Sequence, residues 1–345
     1  MVILRRGRTP APLEGVDVVL ADLDGVVYAG PGAIPHAVES LSRAASEGRT
    51  LGFITNNASR TDASVAAHLV ELGLTVRPEQ VVTSPQAAVR LLRERIAPPA
   101  VVLVVGGEGL VVELERAGYT VTRSAEDAPA AVVQGFAPDV GWSQLAEAAY
   151  ALQTPEDEGG IPWIATNTDW TIPQARGIAP GNGTLVSAVH TAVGRLATVA
   201  GKPETPIFAE AVARFGARSP LFIGDRLDTD IQGASRAGLR SALVLTGIDR
   251  PKHVLAAGPD ARPDFLLSDL RELSEPYPAT VVSGTRTTVG RSTVEIDGPD
   301  LRVVSPGDRP IDLLRAAAAA VWSSGRAIFG FRVDERLYAD PFRRV

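Results

Sequence analysis

Acidic, hydroxyl and amide side chains follow three predicted strands at the point where each strand ends. In chain order the clusters are Asp22-Leu23-Asp24-Gly25, Thr55-Asn56-Asn57 and Gly224-Asp225-Arg226-Leu227-Asp228-Thr229-Asp230. Functional residues of a parallel sheet gather beyond the carboxyl ends of its strands, so we expect these side chains to meet at one edge. Carboxylates grouped in this way can act as nucleophiles, transfer protons and bind a hard cation.

A fourth cluster, Gly201-Lys202-Pro203, lies just before a predicted helix over 206–215. The chain has only two lysines, Lys202 and Lys252, among 34 basic residues. A lysine at this place in an arginine-rich chain indicates a need for a compact ammonium rather than a planar guanidinium. Lys252 lies in a polar loop and is expected to be solvated. One Asp-x-Asp-Gly string arises easily by chance, so the prediction depends on four clusters in a fixed order.

Strands and helices alternate along the chain in the way that positions such clusters. The apolar run 16–21, the helical pattern 35–47 and the run 51–54 predict a strand, a helix and a parallel strand. The alternation continues through residues 84–195 and returns after residue 196, whereas Thr/Val alternation with Gly turns after residue 280 predicts antiparallel hairpins. We therefore predict an α/β fold with a split core (14–83 plus 196–275), an inserted α/β domain (84–195) and a small α+β C-terminal domain (280–345).

The four clusters resemble those of haloacid-dehalogenase (HAD) superfamily phosphatases of the NagD and p-nitrophenyl-phosphatase type, over residues 14–275. The resemblance implies a HAD-like Rossmannoid core with a C2-type cap inserted after the second cluster. The interval between Asp24 and Thr55 is short and the interval between Thr55 and Lys202 is long, which agrees with that insertion point. The implied activity is hydrolysis of a phosphate monoester.

Within that resemblance the acidic residues receive distinct roles. With no cysteine in the chain, Asp22 is the expected nucleophile that forms an aspartyl-phosphate, and Asp24 is the expected general acid and base. Two carboxylates beside a phosphate dianion repel one another strongly, so a cation is required. We expect Mg²⁺ bound by Asp22, Asp225 and the backbone carbonyl of Asp24, with Asp230 nearby as an orienting residue.

Other residues are expected to hold the substrate. Lys202, Thr55, Asn56 and Asn57 would bind the transferring phosphoryl group, with Lys202 and Thr55 also counted as catalytic. In the cap, Asp169, Trp170 and Arg176 are the expected contacts to the rest of the substrate. Two alternatives stay open, since Trp170 could simply pack into the cap and the two charged residues could lie in a solvated loop.

Composition limits the classes of partner. The net charge is −6 and no basic block is present, which disfavours nucleic acid and anionic membranes as partners. No apolar run is long enough to span a membrane, and residues 1–12 lack the apolar core of a secretory signal, so we expect a cytoplasmic protein. A homodimer that buries a surface with Trp322 and Phe329 is a further expectation.

The substrate is expected to be a small phosphorylated metabolite. An arginine-rich, lysine-poor chain with an added C-terminal domain looks most like the actinobacterial glycerol-3-phosphate phosphatases, which implies glycerol 3-phosphate and a role in glycerol metabolism. Phosphoglycolate, pyridoxal phosphate and sugar phosphates remain alternatives. The C-terminal region resembles a fragment of the GCN5-related acetyltransferase (GNAT) fold, so a bifunctional protein that binds acyl-coenzyme A is another alternative, although the pyrophosphate loop of that family is not visible.

Overall fold

The computed structural model describes residues 10–174 and 176–342. Its chain forms two compact units. The first contains residues 10–51 and 218–342, and the second contains residues 52–174 and 176–217. In these residues no helix is both long and apolar enough to cross a bilayer. The domain boundaries that the sequence indicates stay predictions.

The elements alternate as the sequence predicts. The strands are β1 Val18–Ala21, β2 Tyr28–Ala29, β3 Gly32–Ala33, β4 Thr50–Thr55, β5 Val81–Thr83, β6 Val101–Val105, β7 Thr120–Thr122, β8 Ala131–Gln134, β9 Trp163–Ala165, β10 Thr171–Gln174, β11 Gly177–Pro180, β12 Thr198–Val199, β13 Leu221–Gly224, β14 Arg240–Val244, β15 Phe265–Leu267, β16 Thr280–Ser283, β17 Arg286–Val289, β18 Ser292–Asp297, β19 Asp300–Ser305 and β20 Arg332–Val333. The α-helices are α1 Ala37–Ser46, α2 Asp62–Glu71, α3 Ser84–Arg93, α4 Glu108–Arg116, α5 Trp142–Ala151, α6 Asn182–Val193, α7 Pro206–Phe215, α8 Gln232–Arg236, α9 Pro251–Ala256 and α10 Pro310–Ser323.

Parallel strands form the sheet of the first unit, in the order β15-β14-β13-β1. Every residue of β1 and β13 is buried, as expected for apolar strands covered on both faces. The backbone N–H of Asp22 extends the ladder by donating to the carbonyl of Ile223 at 2.8 Å. Asp22 and Asp225 therefore follow neighbouring strands at the same edge of the sheet.

The C-terminal domain, residues 280–342 of the first unit, is built on a mixed sheet in the order β16-β17-β18-β19-β20. Its first four strands are antiparallel and β20 is parallel to β19. Strand β20 contains only Arg332–Val333, because Ile328–Gly330 turns as a 3₁₀-helix. Helix α10 packs against β17 and β18, so the predicted hairpins and helix form one layered domain.

The second unit contains the parallel pair β4 and β5 and a five-stranded parallel sheet, β12-β9-β8-β6-β7. Buried side chains of β6, β8 and β9 pack with α5 and α6 into one apolar cluster. A solvated loop was one expectation for Asp169 and Arg176, but residues 171–180 form the antiparallel hairpin β10–β11 with Arg176 at its turn. Alternation was hidden there because Pro173, Gly177 and Pro180 interrupt the strands.

Candidate active site

Three buried carboxylates lie together in the first unit. Asp22, Asp225 and Asp230 each offer an oxygen within 4.8 Å of the others, and their exposed fractions are 8%, 2% and 0%. Carboxylates at such separations repel one another, and a bound cation relieves that repulsion. A site of oxygen ligands alone fits a hard divalent ion such as Mg²⁺. The cluster therefore suits the metal that the sequence predicted.

Asp230 supports this cluster through the backbone. One of its oxygens, Oδ2, accepts the N–H groups of Asp225 and Arg226, both at 3.1 Å. The side chain thereby fixes the turn that follows β13. Residues 227–231 wind as a π-helical turn before α8. The role of Asp230 as an orienting residue of a metal site stays a prediction.

The loop 246–249 encloses Asp225. Ile248 donates its N–H to Oδ2 of Asp225 at 2.7 Å, and Asp249 donates its N–H to the carbonyl of Asp225 at 3.2 Å. A β-carbon on either Gly25 or Gly247 would collide with the Asp225 carboxylate. The sequence did not predict a role for Gly247; its place shortly after β14, at the same edge of the sheet, was the available signal.

Two further carboxylates, Asp249 and Asp228, form hydrogen bonds with the residues that follow Asp225. Asp249 accepts the backbone N–H of Leu227, and its burial raises its pKa above the ordinary value. Burial also acts to raise the pKa of Asp228, but the hydrogen bonds and charge of Arg226 outweigh it and lower that pKa. Arg226 and Asp228 thus form a local ion pair, at 2.7 Å, beside the buried cluster.

Asp24 differs from its neighbours because its side chain is exposed. Its backbone forms a bridge with Tyr28, and the N–H of Gly25 donates to the Tyr28 carbonyl at 2.9 Å. Gly25 has φ of +81°, a left-handed conformation that favours glycine. The turn after β1 therefore leaves the Asp24 side chain accessible to a ligand while Asp22 is buried.

Replacing Gly247 with alanine is expected to weaken Mg²⁺ binding by about tenfold or more, as disturbing a residue that supports a metal ligand does. The added methyl group would displace the Asp225 carboxylate. Calorimetric titration with Mg²⁺ measures the change. Gly32→Ala is the matched control, because a β-carbon there meets open space. Equal Mg²⁺ affinities of the Gly247 variant and the wild type would contradict this role of the loop.

In the second unit, Asn56 connects Lys202 to Asp169. The backbone N–H of Lys202 donates to Oδ1 of Asn56 at 2.9 Å, and Nδ2 of Asn56 donates to the Lys202 carbonyl at 3.1 Å. Nδ2 also donates to Oδ1 of Asp169 at 3.1 Å. Lys202 is only 4% exposed. Three of the predicted site residues are thus brought together, with the side chain of Asn56 holding the lysine backbone.

Backbone groups around Asn56 are fixed by further polar residues. The Asn56 carbonyl accepts the Ser84 hydroxyl at 2.7 Å and Nδ2 of Asn167 at 2.8 Å. A β-carbon on Gly201 would come within 2.5 Å of both Oδ1 of Asn56 and the Thr166 carbonyl. The sequence predicted neither Ser84 nor Asn167 as a supporting residue; the place of Asn167 shortly after β9 was the available signal.

Thr55 and Asn57 organise the turn that leads to α2. Oγ1 of Thr55 accepts the N–H of Asn57 at 3.1 Å, and Oδ1 of Asn57 accepts the N–H groups of Ser59 and Arg60 at 2.9 and 3.2 Å. This is the local pattern in which Asn side chains stabilise turns. Thr55 is 3% exposed. Contact of these residues with a phosphoryl group stays a prediction.

Two of the predicted substrate contacts lie on the surface of the second unit. Trp170 is 64% exposed, and Arg176 is exposed at the turn between β10 and β11. Asp169 precedes them and is partly buried beside Asn56. Their contact with substrate stays a prediction. Trp170 does not pack into the core of this unit, so the alternative that it only packs into the cap is wrong.

Comparison with known proteins identifies the family. Residues 19–120 match the model described as haloacid dehalogenase-like hydrolase, residues 199–273 match a HAD-hydrolase-like model, and residues 291–335 match a GCN5-related N-acetyltransferase like domain. The chain belongs to the haloacid dehalogenase-like hydrolases. The predicted family and fold class, including the GNAT-like C-terminal region, are confirmed.

Individual relatives cover most of the chain. The D-glycerol 3-phosphate phosphatase of Mycobacterium tuberculosis (strain H37Rv) is 45% identical over 318 residues, which are 90% of this chain and 87% of that protein. Human chronophin is 38% identical over 276 residues, 74% of this chain and 92% of its own length. A crystal structure of glycerol phosphate phosphatase from M. tuberculosis in complex with magnesium has a TM-score of 0.84 at 42% identity, covering 95% of this chain and 97% of that one.

Proposed function

We propose that this protein is a Mg²⁺-dependent phosphatase that hydrolyses glycerol 3-phosphate through an aspartyl-phosphate on Asp22. The observation that carries the proposal is the buried group of Asp22, Asp225 and Asp230, three carboxylates within 4.8 Å of one another. The similarity to a D-glycerol 3-phosphate phosphatase over 90% of the chain supports the substrate.

The metal would be held by Asp22, Asp225 and the backbone carbonyl of Asp24. When bound, Mg²⁺ supplies positive charge that offsets the charge of the phosphate and of the carboxylates. The protein contributes the fixed geometry: Asp230 holds the Asp225 backbone and the loop 246–249 holds its side chain. Preorganised ligands of this kind need no rearrangement when substrate binds.

The proposed reaction has two displacements at phosphorus. A carboxylate oxygen of Asp22 attacks the phosphorus of glycerol 3-phosphate, and the bond to the glycerol oxygen breaks as Asp24 donates a proton to it. Asp24 then removes a proton from water, whose oxygen attacks the phosphorus of the aspartyl-phosphate. Inorganic phosphate leaves and the Asp22 carboxylate is restored, so the protein returns to its starting state.

Lys202 is the proposed cationic contact of the transferring phosphoryl group. Thr55, Asn56 and Asn57 are the proposed hydrogen-bond donors to the same phosphoryl group. The support is chemical, because Lys202 is only 4% exposed, its backbone is held on both sides by Asn56, and a compact ammonium fixed in this way suits a phosphoryl group.

Asp169, Trp170 and Arg176 are the proposed contacts to the glycerol part. The exposed indole of Trp170 offers an apolar face, and the two charged side chains offer hydrogen bonds to hydroxyl groups. We also place the activity in the cytoplasm, where small phosphorylated metabolites and Mg²⁺ occur together. The homodimer remains a prediction; Phe329 is 91% exposed, whereas Trp322 is partly buried against the apolar cluster of the first unit.

A phosphate-release panel with Mg²⁺ tests the function. The substrates are both enantiomers of glycerol 3-phosphate, phosphoglycolate, pyridoxal phosphate, sugar phosphates and nucleotides. We expect the highest kcat/KM for a glycerol 3-phosphate and loss of activity when EDTA removes the metal. A preference for nucleotides would contradict the proposal, and a preference for another small metabolite would contradict the substrate only. Calorimetry with acetyl-coenzyme A tests the alternative role of the C-terminal domain.

A further inference from the structure

We propose that the C-terminal domain is a positioning element for the metal-binding carboxylate Asp225, acting through helix α9 and the loop 246–250. The inference rests on the proposed function, because it takes Asp225 as a Mg²⁺ ligand. The domain is then part of the support of the metal site and not an independent module attached to the catalytic part. Four sets of contacts, all within the first unit, lead from the domain to the carboxylate.

The first is a shared apolar core. Buried residues of the C-terminal domain and of the HAD-like part form one continuous cluster, without a boundary between two separate cores. Its members include Leu227 and Ile231 from the turn after Asp225, Val254 and Leu255 from α9, and Leu314, Val321 and Leu337 from the C-terminal domain. Packed interiors transmit displacement because they contain little free volume. The turn 227–231, which directly follows the segment with Asp225, is therefore packed in the same core as α10.

The second is a buried arginine that fixes α10 to the sheet. Arg315 is 5% exposed; its Nε donates to the Leu266 carbonyl at 2.9 Å and its Nη1 pairs with Asp312 at 2.8 Å. Its Nη2 pairs with Glu272, and its guanidinium lies 4.3 Å from the ring centroid of Tyr277. Because Nε, Nη1 and Nη2 of this buried arginine all have partners, the side chain fixes the orientation of α10 against β15.

The third set of contacts connects two parts of the C-terminal domain to α9: the last turn of α10 and the segment around Asp340. Nε1 of Trp322 donates to the Val254 carbonyl at 3.2 Å. Nη1 of Arg250, the residue before α9, pairs with Asp340 at 3.0 Å. The side chains of Arg250 and Asp340 are 36% and 21% exposed, so the pair is partly screened from water. Helix α9 is thus held by the C-terminal domain at its first turn and along its length.

The fourth set runs from α9 to the carboxylate. Nδ1 of His253 lies 2.8 Å from Oδ1 of Asp249 and 3.3 Å from the backbone nitrogen of Arg250. Asp249 and Ile248, the two residues before Arg250, are those that hydrogen-bond to Asp225. Only a few residues of chain therefore separate the contacts with the C-terminal domain from the contacts with Asp225. A shift of α9 would move the loop that holds the carboxylate.

The test uses the full-length chain and calorimetric titration with Mg²⁺ in the absence of substrate. Asp340→Asn removes the ion pair with Arg250, and Trp322→Phe removes the hydrogen bond to Val254 while keeping an aromatic ring. We expect each to raise the Mg²⁺ dissociation constant by about three- to tenfold, the scale of coupling through packed networks. The exchange variant Arg250→Asp with Asp340→Arg is expected to restore part of the lost affinity.

Asp308→Asn is the matched control, because Asp308 pairs with Arg291 at 2.7 Å near the opposite end of α10. We expect its Mg²⁺ affinity to equal that of the wild type. Unchanged affinity in both Asp340→Asn and Trp322→Phe, with thermal unfolding showing them folded, would overturn the inference. The same loss in the Asp308 variant would also overturn it, since the effect would then be general. A wild type that binds no Mg²⁺ would instead refute the proposed function itself.

Discussion

Asp22→Asn is expected to lower turnover by about ten-thousand-fold or more, as removal of a covalent nucleophile does in other enzymes. An amide has nearly the size of a carboxylate but does not attack phosphorus, and the substitution would also weaken one proposed ligand of the metal. The side chain is 8% exposed and adjoins Asp225 and Asp230. Phosphate release from glycerol 3-phosphate, followed with purified protein and Mg²⁺, measures the loss.

Asp17→Asn is the matched control for that experiment. Asp17 lies at the other end of β1, where its carboxylate accepts the N–H groups of Arg218 and Ser219 at 2.8 and 2.9 Å. Its replacement is expected to reduce thermal stability slightly and to leave kcat unchanged. Turnover by the Asp22 variant within tenfold of the wild type would refute Asp22 as the nucleophile.

Lys202→Arg is expected to lower kcat/KM by about a hundred- to a thousandfold, the typical effect of removing one preorganised contact to the reacting group. The charge is kept, so the loss would come from geometry. Lys202 is 4% exposed and its backbone is fixed by Asn56, which leaves no space for a longer, planar guanidinium.

The second lysine provides the control for this substitution. Lys252 is exposed on α9, and Lys252→Arg is expected to leave kcat/KM unchanged. Steady-state kinetics of the two variants side by side separate the role of the ammonium from a general effect of arginine. If Lys202→Arg keeps more than half of the wild-type kcat/KM, then a compact ammonium is not required at this position.

The sequence was sufficient for the strands that carry the acidic residues, because buried parallel strands are short apolar runs followed at once by polar clusters. The runs before Asp22 and Asp225 show this pattern, and the structure places both residues at one edge of the sheet. Helix α7 begins at Pro206 and ends at Phe215 as predicted, since proline favours the first turn and Gly216 follows the last.

Contacts between distant segments could not be predicted in the same way. Nothing in the composition of the loop 246–249 marks Gly247 as the residue that must leave space for Asp225. The sequence pattern alone favours an exposed position for Arg315 on an amphipathic helix. In the structure it is buried between Asp312 and Glu272. Such roles depend on which segments pack together, and local patterns of hydrophobic residues do not contain that information.

The stereochemical course at phosphorus tests the central claim, a covalent aspartyl-phosphate, most directly. A phosphorothioate analogue of glycerol 3-phosphate, made chiral at phosphorus with oxygen isotopes, is hydrolysed in isotopically labelled water and the configuration of the product is determined. Two successive in-line displacements, first by Asp22 and then by water, predict net retention of configuration. Net inversion would show that water attacks the substrate directly and would contradict the proposed role of Asp22.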